Sequence, residues 1–219
     1  MWAIVHHVPY DGSGGIGGAV RRSGTPAVHL RPYLGDDLPA VADLTGLVVL
    51  GGPSESAGDD VPYLRAERAL LASAAHAGLP VLGVCFGAQL LAVALGGAVR
   101  RAPQPEVGIG EVELTAEGLD DPLLGPVGPR IPALHWHGDE IVRPPGSVGL
   151  ATSAGCPEQA FRWGTRAWGL QFHAELDATM ADLIRPQMRD VPLAPAAVEA
   201  AEVAGTRIAD AFVGTAAGR

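Results

Sequence analysis

Cys85 stands in the stretch Gly83-Val84-Cys85-Phe86-Gly87, with a glycine two residues before it and two after. That spacing suits a nucleophile elbow, where a strand reverses abruptly into a helix and a side chain at either flank would collide with the backbone. A cysteine at that point occupies a helix N-terminus, where unpaired N–H groups and the helix dipole favour thiolate over thiol. Farther on, His173 and Glu175 end the run Gln171-Phe172-His173-Ala174-Glu175. In extended chain, residues i and i+2 project to one side, so Glu175 can fix one imidazole nitrogen while the other faces a nucleophile. A third stretch, Leu50-Gly51-Gly52-Pro53, follows an apolar run. The backbone N–H of Gly52, with that of Phe86 just after the cysteine, would form an oxyanion hole. Taken together, these residues point to nucleophilic attack by a thiolate on a carbonyl.

Those residues need strand ends that meet at one edge. Short apolar runs at Trp2–Val8, Ala27–Leu30, Leu47–Leu50 and Val81–Val84 read as buried parallel strands. Between them lie a glycine-rich loop with a short helix ending near Arg21-Arg22, and a helical pattern over Tyr63–Ala77. A further helix leaves the elbow and runs out at Gly96-Gly97. After Gly97 the pattern turns to successive strands at Val107–Leu114, Ala133–Trp136, Val148–Thr152, Gln159–Trp163 and Ala167–Phe172, with turns at Asp120–Pro129 and Gly164-Thr165. Helices over Asp177–Met188 and Pro195–Val213 complete it. The expected fold is α/β: a flavodoxin-like, open, mostly parallel central sheet flanked by helices, with a smaller antiparallel hairpin region in the second half. Such a sheet brings the carboxyl ends of the Cys85 and His173 strands together. With no repeat and no long linker, residues 1–219 read as a single domain.

The 219 residues carry 15 Lys+Arg against 24 Asp+Glu, a formal net charge of −9, which argues against a phosphate backbone as partner. Two cysteines, Cys85 and Cys156, make no disulfide framework and imply a reducing compartment. The opening MWAIVHHVPYDG has no basic segment ahead of an apolar one, so a cytoplasmic location is expected. From Ala69 to Val99 no charged residue occurs, but His76, Pro80, Gln89 and five glycines break this run into helix, strand and helix. It reads as a buried core, and no membrane partner is expected.

The segments Gly51-Gly52-Pro53-Ser54-Glu55, Gly83-Val84-Cys85-Phe86-Gly87-Ala88-Gln89, His137-Gly138-Asp139 and Gly169-Leu170-Gln171-Phe172-His173-Ala174-Glu175 resemble, in order and spacing, the class I (triad-type) glutamine amidotransferases. Similarity is closest to stand-alone proteins described as GMP synthase-like. The resemblance implies that Cys85 attacks the side-chain amide of L-glutamine to give a γ-glutamyl thioester, with His173 as acid and base, Glu175 orienting it, and Gly52 and Phe86 holding the oxyanion. It places Gln89 and Trp136-His137-Gly138-Asp139 in the glutamine pocket. No cofactor and no metal are implied. Two departures stand out: Ala174 replaces the family's usual proline between His and Glu, and no synthetase domain or ATP motif is found before Arg219. The ammonia acceptor, or a synthetase subunit carrying it, is therefore expected elsewhere.

Other readings compete. A γ-glutamyl peptide or amide hydrolase would use the same triad. Chaperone-like and protease-like relatives usually carry His directly after the cysteine, where Phe86 stands. Gly12-Ser13-Gly14-Gly15-Ile16-Gly17 matches a nucleotide-binding Gly-x-Gly-x-x-Gly, with Asp37 twenty residues on, though Asp37 falls in a Pro/Gly-rich loop. His135 and His137 alternate with Asp139 near, which falls short of the three or four ligands in known spacing that zinc usually requires.

Overall fold

The computed structural model describes residues 1–9, 12–52, 61–188 and 190–216. Its elements, in chain order, are β1 (Trp2–Val5), α1 (Gly14–Arg22), β2 (Ala27–Leu30), β3 (Gly46–Val49), α2 (Pro62–His76), β4 (Val81–Val84), α3 (Phe86–Ala94), β5 (Ala98–Leu114), a single turn α4 (Ala116–Leu119), β6 (Arg130–Val142), β7 (Val148–Thr152), β8 (Ala160–Trp163), β9 (Ala167–Leu170), α5 (Ala178–Ile184) and α6 (Pro195–Gly214). Nine strands form one sheet in the order β2-β1-β3-β4-β9-β8-β7-β5-β6. The first five are joined by parallel ladders. Antiparallel ladders join the rest. The parallel part has the doubly wound order of a flavodoxin-like sheet. The expected hairpin region is present and extends this same sheet instead of forming a second one.

Alternation along the strands builds a core on each face. Trp2 and Ile4 of β1 pack with Ile16 and Val20 of α1 and Ile208 and Phe212 of α6. Ala3 and Val5, pointing the other way, pack with Leu64 and Leu71 of α2 and Leu90 and Leu91 of α3. A third cluster lies beneath β6, where Leu134 meets Leu176, Met180 and Ile184 around α5. Helix ends follow from local chemistry. Pro62 and Pro195 open α2 and α6 at positions whose N–H would be unpaired anyway. Asp177 caps α5 by accepting from the Met180 N–H at 2.7 Å. Gly96, at φ 86°, closes α3 with bonds from Gly96 N to Val93 O and Gly97 N to Ala92 O. Among the described residues no helix is long and apolar enough to cross a membrane.

The largest differences from the sequence reading are in β1, β9, β5 and β6. Strand β1 stops at Val5, although the His6 N–H still donates to Leu30 O at 2.9 Å, and the His6 and His7 side chains turn to His29 and Glu67. Strand β9 ends at Leu170, and the chain beyond it touches β6 through a bridge between Leu134 and His173. Strands β5 and β6 are far longer than expected, 17 and 13 residues. Pro103 and Pro105 would ordinarily break a strand, but they fall inside the register shift between Arg101 and Glu106, where a missing N–H costs no ladder bond.

Candidate active site

The elbow forms where the flanking glycines predict it. Cys85 follows β4 at φ 50°, ψ −107°, the one non-glycine residue with positive φ among the described residues. A Cβ on Gly83 would lie 2.5 Å from Gly87 O, and one on Gly87 only 1.9 Å from Val49 O. Both positions are therefore closed to any side chain. The Cys85 N–H donates to Leu170 O at 2.7 Å, which ties the elbow to the end of β9. Its carbonyl accepts from Ala88 and Gln89, starting α3.

Beyond β9 the chain brings His173 to the thiol. The His173 N–H donates to Leu134 O of β6, and Nδ1 lies 2.7 Å from Glu175 Oε1. That leaves Nε2 free of Glu175, and Cys85 is near enough for its charge to act on the ring. Burial alone would lower the His173 pKa, but the charges of Glu175 and Cys85 together hold it well above the ordinary 6.5. Ala174, between the two, leaves both side chains in this contact. Cys85 Sγ is also 3.7 Å from Gln171 Nε2 and 3.8 Å from Trp136 O. Gln171, to which the sequence reading gave no role, is thus a direct neighbour of the thiol. Gln89 is fully buried and donates through Nε2 to Gln171 Oε1 at 3.2 Å, while its own Oε1 has no donor.

The glycine-rich stretch turns out to support Glu175. A Cβ on Gly14 would sit 1.7 Å from Glu175 O, and the Gly15 N–H donates to that oxygen at 3.0 Å. Close approach of α1 to the Glu175 backbone accounts for Gly14 without a nucleotide, while a Cβ on Gly17 would strike Ser13 of the same segment.

Gly52 packs against Phe86 and His7, where a Cβ would come within 3.0 Å of Phe86 Cδ1 and 2.6 Å of His7 Cβ. Phe86 opens α3, so its N–H has no partner inside the helix. Pro53, Ser54, Glu55 and Ser56, the rest of that loop, lie outside the described residues. Sequence reasoning also missed what holds Gly51. His7 Nδ1 lies 3.1 Å from Gly51 O and Nε2 2.8 Å from Glu67 Oε2, in a fully buried pair. The adjacent histidines are visible in the sequence, but nothing there pairs His7 with a glutamate of α2.

Trp136-His137-Gly138-Asp139 lies within β6. Trp136 brings its carbonyl to the thiol, while His137 faces elsewhere: Nδ1 is 3.0 Å from Asp139 O, and Nε2 is 3.2 Å from Glu106 Oε2. The Asp139 carboxylate accepts from Arg101 at 3.3 Å, and Gly138 lies against the same guanidinium. His135 Nδ1 is 3.8 Å from Glu106 Oε2 and 3.3 Å from Gln159 Nε2. Burial lowers both histidine pKa values against the pull of Glu106, that of His135 to about 4.

Residues 25–185 match the family model of the class-I glutamine amidotransferases. The chain is 39% identical over 150 residues to the glutamine amidotransferase-like protein YfeJ of Salmonella typhimurium, a stretch covering 66% of this chain and 63% of that one. It is 40% identical over 155 residues to a GMP synthase of Aeropyrum pernix, covering 70% of this chain and 28% of the synthase. Thus the match spans less than two thirds of either relative. Among solved structures, a glutamine amidotransferase from Methylobacillus flagellatus superposes with a TM-score of 0.86 at 26% identity, over 97% of this chain and 93% of that one. Another, from Thermotoga maritima, has the same fold, with a TM-score of 0.87 at 24% identity over 100% and 98%.

Proposed function

The chain belongs to the class-I glutamine amidotransferases, a family of cysteine-dependent amidohydrolases, and from that premise we propose that it hydrolyses the side-chain amide of L-glutamine through Cys85, His173 and Glu175. Cys85 Sγ, as a thiolate paired with the protonated His173 ring, attacks the amide carbon. The oxyanion is held by the N–H groups of Gly52 and Phe86. His173 then gives its proton to the departing nitrogen, so ammonia leaves and a γ-glutamyl thioester remains. Water, deprotonated by His173, attacks the thioester carbonyl and releases glutamate and the thiol. Glu175 keeps the imidazole in the useful tautomer and stabilises its protonated form throughout.

The observation that carries this reading is the meeting of a positive-φ cysteine with a buried His173–Glu175 pair whose shared bond is 2.7 Å. Gln89 Oε1, buried without a donor, offers an acceptor for substrate N–H groups. Trp136, Gly138 and Asp139 of β6 supply the neighbouring wall of the glutamine pocket, while His137, which the sequence reading placed there too, is turned away to Glu106. Residues 1–219 act as one glutaminase domain, and the acceptor of ammonia is a separate synthetase component. Support for such a division comes from a Sulfolobus acidocaldarius relative, named as one subunit of a glutamine-hydrolysing GMP synthase. It is 41% identical over 103 residues, which cover 46% of this chain and 53% of that protein. Both cysteines are unpaired, in keeping with a cytoplasmic site of action.

The test is ammonia release from L-glutamine, beside amine release from a panel of γ-glutamyl amides and peptides, with wild type and Cys85→Ala. Glutamine turnover that falls by about 10⁴-fold or more in Cys85→Ala is the expected result. Preference for a γ-glutamyl peptide would replace the amidotransferase reading with a self-sufficient hydrolase. Should Cys85→Ala keep wild-type turnover, the nucleophile is wrong.

A further inference from the structure

Behind β6 lies a group of side chains, two buried histidines and a half-buried glutamate, that the amidase chemistry does not use. Glu106 of β5 faces His135 and His137 of β6, and one ligand-capable atom from each lies within 4.8 Å of the other two. Their hydrogen bonds do not close. The His137 Nδ1 hydrogen is directed at Asp139 O, an acceptor only, so a neutral ring presents a lone pair at Nε2. That nitrogen is fully buried, has no hydrogen-bond partner, and lies 3.2 Å from Glu106 Oε2, another lone-pair bearer.

Gln159 cannot satisfy the remainder. Its Nε2 is 2.6 Å from Glu106 Oε2, 3.0 Å from Ser153 Oγ and 3.3 Å from His135 Nδ1, three neighbours for two hydrogens. Its Oε1 is buried with no donor. Two imidazole nitrogens and a carboxylate oxygen thus crowd one small volume with too few hydrogens between them, beside a glutamine whose own amide oxygen has no donor. A cation resolves that arrangement.

We propose that Glu106, His135 and His137 bind a divalent transition-metal ion of the zinc class, with the Gln159 amide oxygen or a water as fourth ligand. Ligand atoms around a tetrahedral ion with bonds of about 2.0–2.1 Å lie roughly 3.4 Å apart. The 3.2 Å and 3.8 Å separations of Glu106 from the two histidines bracket that value. Turning the Gln159 amide end for end presents its Oε1 to the ion. Two nitrogens with oxygen ligands suit zinc better than calcium or magnesium, which take oxygen sets. The Ser153 hydroxyl, donating to Glu106 Oε1 at 2.7 Å, and Asp139 O on His137 orient two of the ligands from outside. Such an ion would fasten β5 to β6 on either side of Trp136, whose carbonyl touches the Cys85 thiol. The proposal stands on this cluster alone and not on the amidase reading.

A thiolate also binds zinc, so the experiment uses the full chain carrying Cys85→Ala, titrated with Zn²⁺ against a chromophoric chelator. One equivalent bound at micromolar affinity or tighter is expected, weakened by at least about 100-fold in Glu106→Gln and in His135→Gln. Imidazole nitrogen NMR of Cys85→Ala alone should show the His135 and His137 rings shifting as Zn²⁺ is added, a reading that needs no ligand variant to fold. Absence of saturable binding overturns the proposal and leaves a proton shared between His137 and Glu106. Binding that survives both substitutions, or that leaves both rings unmoved, overturns it equally.

Discussion

The two halves of the sheet present functional residues in different ways. In the parallel half, Cys85 and His173 stand just past the carboxyl ends of β4 and β9, neighbouring strands in register from Val81–Ala167 to Val84–Leu170. Position along a strand is enough to bring them together. In the antiparallel half, pairs arise across a ribbon: Arg101 opposite Asp139, Glu106 opposite His137. Here position along one strand says nothing until the register is known. The parallel half therefore carries its chemistry in backbone geometry, whereas the ribbon carries contacts between side chains.

The sharpest way to break this contrast is to place a methyl group in each half. Gly87→Ala drives a Cβ to 1.9 Å from Val49 O, a backbone atom that cannot step aside. A loss of about 3 kcal/mol or more is expected, along with activity. Gly146→Ala, in the turn between β6 and β7, meets nothing within 4 Å and suffers only from its φ of 76°. Its cost should be about 1 kcal/mol, with activity retained. Urea unfolding of both variants measures the difference, and equal losses would refute the claim that the elbow is the more constrained backbone.

Next in size comes the His173–Glu175 pair. His173→Ala should cost more turnover than Glu175→Gln, which we expect to lose roughly 10²- to 10⁴-fold, because an orienting group matters less than the base. The pH dependence follows from the raised His173 pKa. A histidine bound more tightly by protons when folded stabilises the protein below its unfolded value of about 6.5, and that stabilisation fades as pH rises through the folded value. Wild type should therefore lose unfolding free energy between about pH 6 and the higher folded pKa, and Glu175→Gln should lose less. A variant with the wild-type slope would mean that Glu175 does not hold the charge on His173.

The same contrast explains what can be read from sequence. Gly83, Gly87, Cys85, His173 and Glu175 are readable because local rules govern them: a strand-to-helix reversal, a two-residue alternation and the shared edge of a parallel sheet. The parallel half of the sheet follows from the alternation of strands and helices. The glycines around the start of α1 read as a loop or a weak nucleotide motif, since the reason for Gly14 is the Glu175 backbone, 161 residues along the chain. His7–Glu67, Gln171 beside the thiol, and Glu106 beside His135 and His137 are likewise products of tertiary register. The prolines at 103 and 105 hide the full length of β5 for the same reason.

The smallest expected effect sharpens the comparison from the ribbon side. Arg101 is 70% exposed and reaches Asp139 at 3.3 Å across the β5–β6 ladder. A pair so open to water is worth no more than about 1 kcal/mol, so Arg101→Gln should barely change stability. If the ribbon serves to shape the substrate pocket through Asp139 and Gly138, loss of the guanidinium should raise KM for glutamine a few-fold and leave kcat unchanged, the signature of lost uniform binding. Steady-state kinetics on Arg101→Gln separate the two parameters. A fall in kcat with KM unmoved would place this ribbon pair in the chemical step, and the division between a parallel half that reacts and an antiparallel half that binds would fail.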